Sequence, residues 1–135
     1  MVQFYFLSIL LNTVAGYSLI ADKESGSSFL DGLKSYIFNE TFRLVVGILS
    51  MAVGLFKLLS VVRGDVPVIG DLFPALTALA AGFSLIIDFY RLKSSIAQEE
   101  TGTLEKLFVK NKKWFGYLSL AAAAAHFLFP TVLFL

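Results

Sequence analysis

Residues 15–22 read AGYSLIAD, and residues 81–88 repeat the pattern as AGFSLIID. A second pair follows the same order, because GILSMAV at residues 47–53 returns as GYLSLAA at residues 116–122. The repeated segments belong to long apolar runs, and a polar link separates the two runs of each copy. The sequence therefore predicts a duplicated membrane hairpin.

Composition supports an environment of lipid. Hydrophobic residues make up 57% of the 135 residues and charged residues 16%, whereas soluble domains average about 45–50% and about 25%. A net charge of +1 argues against nucleic-acid binding, and the lack of cysteine excludes disulfides and thiolate sites. We expect a single transmembrane domain over residues 1–135, with repeat 1 at about residues 1–63 and repeat 2 at about residues 72–135.

Four stretches are long enough to cross a bilayer, whose core of about 30 Å requires roughly 20 mostly apolar residues in a helix. They are residues 2–21, 42–62, 72–90 and 114–135. The links inside each repeat also contain short amphipathic segments, which predict helices in the headgroup region. The predicted fold class is all-α: an integral membrane four-helix bundle made of two parallel copies of a helix–interfacial helix–helix hairpin.

Lysine and arginine are concentrated in two links, at residues 22–41 and 91–113, and are rare between the second and third spans. Short loops rich in these residues stay in the cytoplasm. We therefore expect a multi-pass integral membrane protein whose two basic links are cytoplasmic and whose termini both lie outside. An even number of spans in each repeat makes the two copies parallel, related by an axis along the membrane normal.

Two ionisable residues occupy equivalent positions near the predicted outer ends of the second and fourth spans. Lys57 and His126 each follow a paired glycine, Gly47 or Gly116, by ten residues. They form a candidate polar pocket, since ionisable groups at membrane depth often mark functional sites. The simpler interpretation, which the sequence favours, is that Lys57 extends to the outer headgroups while His126 bonds to a local partner.

The predicted cytoplasmic ends of spans one and three carry matched carboxylates, Asp22 and Asp88. A pair of this kind could bind a cation or relay protons. The alternative is that each side chain only terminates an apolar helix, beside a basic neighbour, Lys23 or Arg91, that favours its ionised form.

Small residues at four-residue spacing allow helix backbones to approach closely in lipid. The candidate helix-packing residues are Gly16, Gly47, Ser50, Gly54, Ala78, Gly82, Gly116, Ser119 and Ala123. Packing within the chain and packing against a partner both explain this spacing.

The segments RLVVG at residues 43–47 and GLFKL at residues 54–58 resemble the opening span of the DoxX-like family of small four-span membrane proteins. In that family the motif lies in the first span, whereas another span precedes it here. The resemblance implies a charge at the cytoplasmic edge for Arg43, a polar role for Lys57, and an association with redox or quinone-linked systems.

No phosphate-binding loop, zinc-protease motif or nucleophile elbow is present in the sequence. We therefore predict no catalytic residue, cofactor or metal site, although the sequence does not decide whether the protein is an enzyme. The favoured function is a non-enzymatic accessory or scaffold subunit that packs in the lipid bilayer against other membrane subunits or itself. The alternatives are a small-solute or ion transporter or channel, acting as a homo-oligomer, and a membrane redox or lipid enzyme.

Overall fold

The computed structural model describes residues 2–21, 31–59, 71–94 and 102–129, and every regular element in these ranges is an α-helix. The helices are α1 Val2–Ile20, α2 Asp31–Ile37, α3 Glu40–Leu59, α4 Leu72–Lys93, α5 Thr103–Lys110 and α6 Lys112–Leu128. The prediction of an all-α chain is thus confirmed for the described residues. Asp22 lies outside them, and so does the link at residues 60–70.

Three helices, α1, α3 and α4, are long and apolar enough to cross a membrane. This agrees with the predicted membrane protein. Helix α6 has 17 described residues, and the predicted fourth span continues into residues 130–135, which lie outside the described part of the chain. The number of spans, their orientation and the duplication therefore stay predictions.

The four long helices pack as neighbours that alternate in direction. Helix α3 lies along α4 and α1 lies along α6, while α1 and α4 also contact each other. The contacts set the directions: Tyr5 near the start of α1 bonds to His126 near the end of α6. Likewise Arg43 near the start of α3 bonds to Asp88 near the end of α4. Each of these two pairs is therefore antiparallel, and the late turns of α3 and α6 meet the early turns of α1 and α4.

Two glycine contacts bring these helices together backbone to backbone. A Cβ added at Gly16 would lie 2.8 Å from the carbonyl oxygen of Gly116, and one added at Gly116 would lie 2.8 Å from that of Gly16. Between α3 and α4, a Cβ at Gly82 would lie 2.6 Å from the carbonyl oxygen of Gly47. These are the four glycines that the repeated motifs align, and a duplicated hairpin would produce this pair of contacts.

An apolar layer crosses the helices between their midpoint and the end that carries Arg43 and Asp88. Its buried members are Ala15, Leu19, Val46, Ala81 and Leu85. Helix α5 is attached beside this layer, because the ring of Phe108 stacks on Phe115 at 4.9 Å and meets Phe83 edge-on at 4.8 Å. Ser18 and Ser84 are also buried at this level, and their hydroxyls donate to carbonyl oxygens of their own helices.

The glycine contact between α3 and α4 makes a direct test. Gly82→Ala would place a methyl group within 2.6 Å of the Gly47 carbonyl oxygen and 3.0 Å of the Met51 nitrogen, so backbone must shift. We expect a loss of about 1–3 kcal/mol in the free energy of unfolding, the usual cost of overpacking. Gly32→Ala is the control, because its added Cβ meets nothing within 4 Å and alanine favours a helix by about 1 kcal/mol. Equal stabilities of the two variants, measured by denaturation in detergent micelles, would contradict the close contact.

Candidate functional site

Three ionisable side chains from three helices meet where α3 and α6 end and α4 begins. The Lys57 ammonium nitrogen lies 2.8 Å from His126 Nε2 and 3.2 Å from Asp71 Oδ2. The His126 Nε2 atom lies 3.7 Å from Asp71 Oδ1. We call these residues the lysine–histidine cluster.

The cluster lies inside the protein. The Lys57 side chain is 5% exposed and that of Asp71 20% exposed, and that of His126 is 2% exposed. The interpretation that the sequence favoured, in which Lys57 extends to the headgroups and His126 finds only a local partner, does not describe this geometry. The physical reason is Asp71, whose carboxylate gives a buried ammonium the opposite charge that it requires.

Asp71 stands directly before α4, at the N-cap position, but its side chain makes no capping hydrogen bond. Its carboxylate instead faces Lys57. A negative charge at a helix N-terminus is stabilised by the helix dipole. The start of α4 therefore holds an anion at the level of the last turns of α3 and α6.

Helix α1 completes the cluster through Tyr5. Its hydroxyl donates a 2.6 Å hydrogen bond to the carbonyl oxygen of His126, one of the last carbonyls of α6 that lack a partner within the helix. The Tyr5 ring also lies against the imidazole, with the two ring centroids 4.6 Å apart. All four long helices thus contribute to the site.

A second group of polar side chains lies further from these helix ends, around the fully buried amide of Asn12. Its Oδ1 lies 2.8 Å from the Ser119 hydroxyl and 3.1 Å from the Thr77 hydroxyl. Its Nδ2 donates to the carbonyl oxygens of Ser8, at 3.1 Å, and Pro74, at 3.2 Å. This single side chain therefore joins α1, α4 and α6.

Two buried hydroxyls on these helices have no hydrogen-bond partner, those of Ser8 and Ser50. Ser50 is the residue that the repeat pairs with Ser119. The register of α3 on α4 places Ser50 opposite Ala78 and Leu79, because Gly47 lies against Gly82 and Gly54 against Ala75. On α1 the corresponding position is Asn12, so the two serines differ in whether an amide is available.

The opposite end of the four helices carries a separate charged cluster. The Arg43 guanidinium lies 3.0 Å from Asp88 Oδ2 and also donates to the Ser18 carbonyl oxygen at 3.1 Å. Lys112 approaches the same carboxylate at 3.5 Å. The structure thus brings together Arg43 and Asp88, two of the three charges expected at this edge, and Asp22 lies outside the described residues.

The polar groups divide the interior into two halves. The lysine–histidine cluster and the Asn12 network fill one half, the apolar layer follows, and the Arg43–Asp88 pair lies beyond it. Within the described ranges no group of three or more histidine, cysteine or acidic residues is placed to hold a metal ion. The arrangement suits exchange of protons or hydrogen bonds with a small polar species on one side of an apolar barrier.

Reasoning from the sequence missed Asp71, Asn12, Thr77 and Tyr5. Asn12 could have been found, because it is an amide in the middle of a predicted span. Asp71 could have been found because its carboxylate immediately precedes the third span, on the same predicted outer side as Lys57. Tyr5 and Thr77 give no such signal, since their roles depend on helix rotation.

The helix-packing candidates are all buried within the chain. Gly16, Gly47, Gly82 and Gly116 form the backbone contacts, and Gly54 packs against Ala75 and Leu79. Ser119 binds Asn12.

The two paired serines provide a matched test of the Asn12 network. Ser119→Ala removes a donor from the buried Asn12 oxygen, and we expect a loss of about 1 kcal/mol, within the range for hydrogen bonds between membrane helices. Ser50→Ala removes a hydroxyl that has no partner, so stability should stay the same or rise slightly. The measurement is reversible unfolding in mixed micelles, and a larger loss for Ser50→Ala than for Ser119→Ala would refute the network.

Comparison with known proteins identifies relatives but no activity. A protein-family model of an uncharacterized family matches residues 1–126. An "Uncharacterized protein" of Treponema pallidum (strain Nichols) is 31% identical over 135 residues, which cover 100% of both chains. No solved structure matches. The chain therefore belongs to the uncharacterized family whose model spans residues 1–126, and it is similar over its full length to the Treponema pallidum protein.

Proposed function

We propose that this protein is a multi-pass membrane four-helix bundle that binds a small polar species in the lysine–histidine cluster and transports it across the bilayer. The observation that carries this proposal is the convergence of Lys57, Asp71 and His126. Removing charged groups from water costs several kcal/mol each, and well-packed apolar residues often serve stability as well or better. Ionisable groups inside a membrane bundle are therefore best explained by a site that uses them.

The two ends of the bundle support transport rather than binding alone. The lysine–histidine cluster lies at the end predicted to face outward, while the apolar layer and the Arg43–Asp88 pair close the other end. A site that is closed on one side by a barrier is what an alternating-access transporter presents in one of its states. The predicted parallel repeats add support, because many transporters are built from internal repeats.

The accessory or scaffold function that the sequence favoured has less support. It relied on small-residue faces that a partner could cover, but the predicted small residues are buried within this chain. Four of them are glycines that already contact each other within the chain, Gly16 with Gly116 and Gly47 with Gly82. A homo-oligomer stays a prediction, but the cluster itself needs only one chain, since four helices of that chain supply it.

Cysteine accessibility tests the proposal without a known substrate. The chain has no cysteine, so a single introduced thiol reports on one position. Ser8 is fully buried one turn from Asn12, between that network and Tyr5. If transport requires water to reach the cluster, Ser8→Cys in sealed vesicles should react with an impermeant thiol reagent from the face predicted to be outside.

Leu10→Cys is the matched control, because Leu10 lies on the same helix but is 58% exposed on its outer surface. Lipid would surround that thiol and keep it protonated and unreactive. We expect Ser8→Cys to react at least about ten times faster than Leu10→Cys. Equal, slow reaction of both positions from either face would favour a closed scaffold and contradict transport.

A further inference from the structure

The charges of the lysine–histidine cluster restrict what it can bind. The Lys57 ammonium and the Asp71 carboxylate cancel, and they lie 3.2 Å apart. Without a proton on both ring nitrogens, His126 adds no charge. These three side chains by themselves carry no net charge, which favours neither a metal cation nor an anion. The cluster does contain both a proton donor and a proton acceptor in direct contact.

The short contact between Lys57 and His126 sets the state of the imidazole ring. The Lys57 nitrogen lies 2.8 Å from Nε2, and an ammonium can only donate. With Lys57 as an ammonium, Nε2 is the acceptor and carries no proton, which places the ring proton on Nδ1. The carboxylate of Asp71 on the other side of the Lys57 nitrogen favours this assignment, because it stabilises the ammonium.

Resting on the proposed transport function, we infer that the transported species is the proton and that His126 Nε2 is the atom that binds it. On uptake, one proton from the aqueous side forms an N–H bond at Nε2, and the ring gains one positive charge. The hydronium ion that donates this proton loses one O–H bond and becomes water, and on release a water molecule accepts the proton. On release the same N–H bond breaks and the ring becomes neutral again.

Proton binding must also move the side chains. A protonated Nε2 can no longer accept from Lys57, and the two cations repel across 2.8 Å. A charged acceptor close to Nε2 is Asp71 Oδ1, now 3.7 Å away, which is beyond a hydrogen bond of about 2.7–3.2 Å. His126 therefore exchanges Lys57 for Asp71 when it is protonated, which brings the imidazole of α6 closer to the carboxylate before α4.

The surroundings fit a proton better than a larger solute. Among the described residues, the groups that face His126 include Lys57 from α3, Asp71 before α4 and Tyr5 from α1, whose hydroxyl is bonded to backbone. Among the described residues, no other charged side chain lies at this end. The Thr77 and Ser119 hydroxyls of the Asn12 network can pass a proton, whereas a larger solute would have to separate the backbones that touch at the glycine contacts.

Two measurements test this inference. Purified protein in liposomes that contain the trapped pH dye pyranine is given a potassium diffusion potential with valinomycin. We expect acidification well above that of empty liposomes, reduced to the empty level by His126→Gln. Leu76→Ala is the control, since Leu76 is on the exposed surface of α4, and it should keep the wild-type flux.

The second measurement needs no variant. His126 is the only histidine of the chain, so histidine labelled with ¹⁵N gives the signals of one ring. Lowering the pH should move the Nε2 resonance from the unprotonated to the protonated position in the folded protein. A ring that stays neutral until the protein unfolds, or flux that His126→Gln leaves unchanged in folded protein, would overturn the inference.

The outcomes separate the two proposals. If proton flux and ring titration are absent while Ser8→Cys still reacts with the impermeant reagent, the proton is the wrong species and the transport function stands. If Ser8→Cys is also unreactive, both proposals fail.

Discussion

The ion pair between Lys57 and Asp71 determines the character of the protein's interior. A buried ammonium requires a carboxylate and further hydrogen-bond partners, and here Asp71 and His126 provide them at 3.2 and 2.8 Å. Because these residues come from α3, α4 and α6, satisfying one charge constrains three helices. Tyr5 then attaches α1 to the same site through the His126 carbonyl.

Glycines make this convergence geometrically possible. Lys57 can reach His126 and Asp71 only if the helices around it are close, and the contacts of Gly16 with Gly116 and Gly47 with Gly82 bring backbones together. A side chain at any of these positions would separate the helices and lengthen the distances in the polar network. The small residues and the buried charges are thus two parts of one arrangement: close packing provides the site, and the site's ion pair helps to hold the packing.

Apolar run length was enough to predict the helices α1, α3 and α4, and the repeated motifs named Lys57 and His126 as a candidate pair. The contact between these two side chains could not be predicted, because helix rotation decides whether they meet or diverge. Asp71 was visible as a carboxylate before the third span, but only the packing of α4 against α3 shows that it turns toward Lys57. Asn12 was visible as an amide in a span, but its partners Thr77 and Ser119 lie 65 and 107 residues away in sequence.

The most direct test of this account is a double-mutant cycle on Lys57→Met and Asp71→Leu, with the free energy of unfolding measured in mixed micelles. Each single change leaves a buried charge without its counterion and should cost about 3–5 kcal/mol. The double change removes both charges, so it should cost well below the sum of the two, with a coupling of at least about 1 kcal/mol. Additive effects of the two changes would show that Lys57 and Asp71 do not interact, and would contradict the buried cluster.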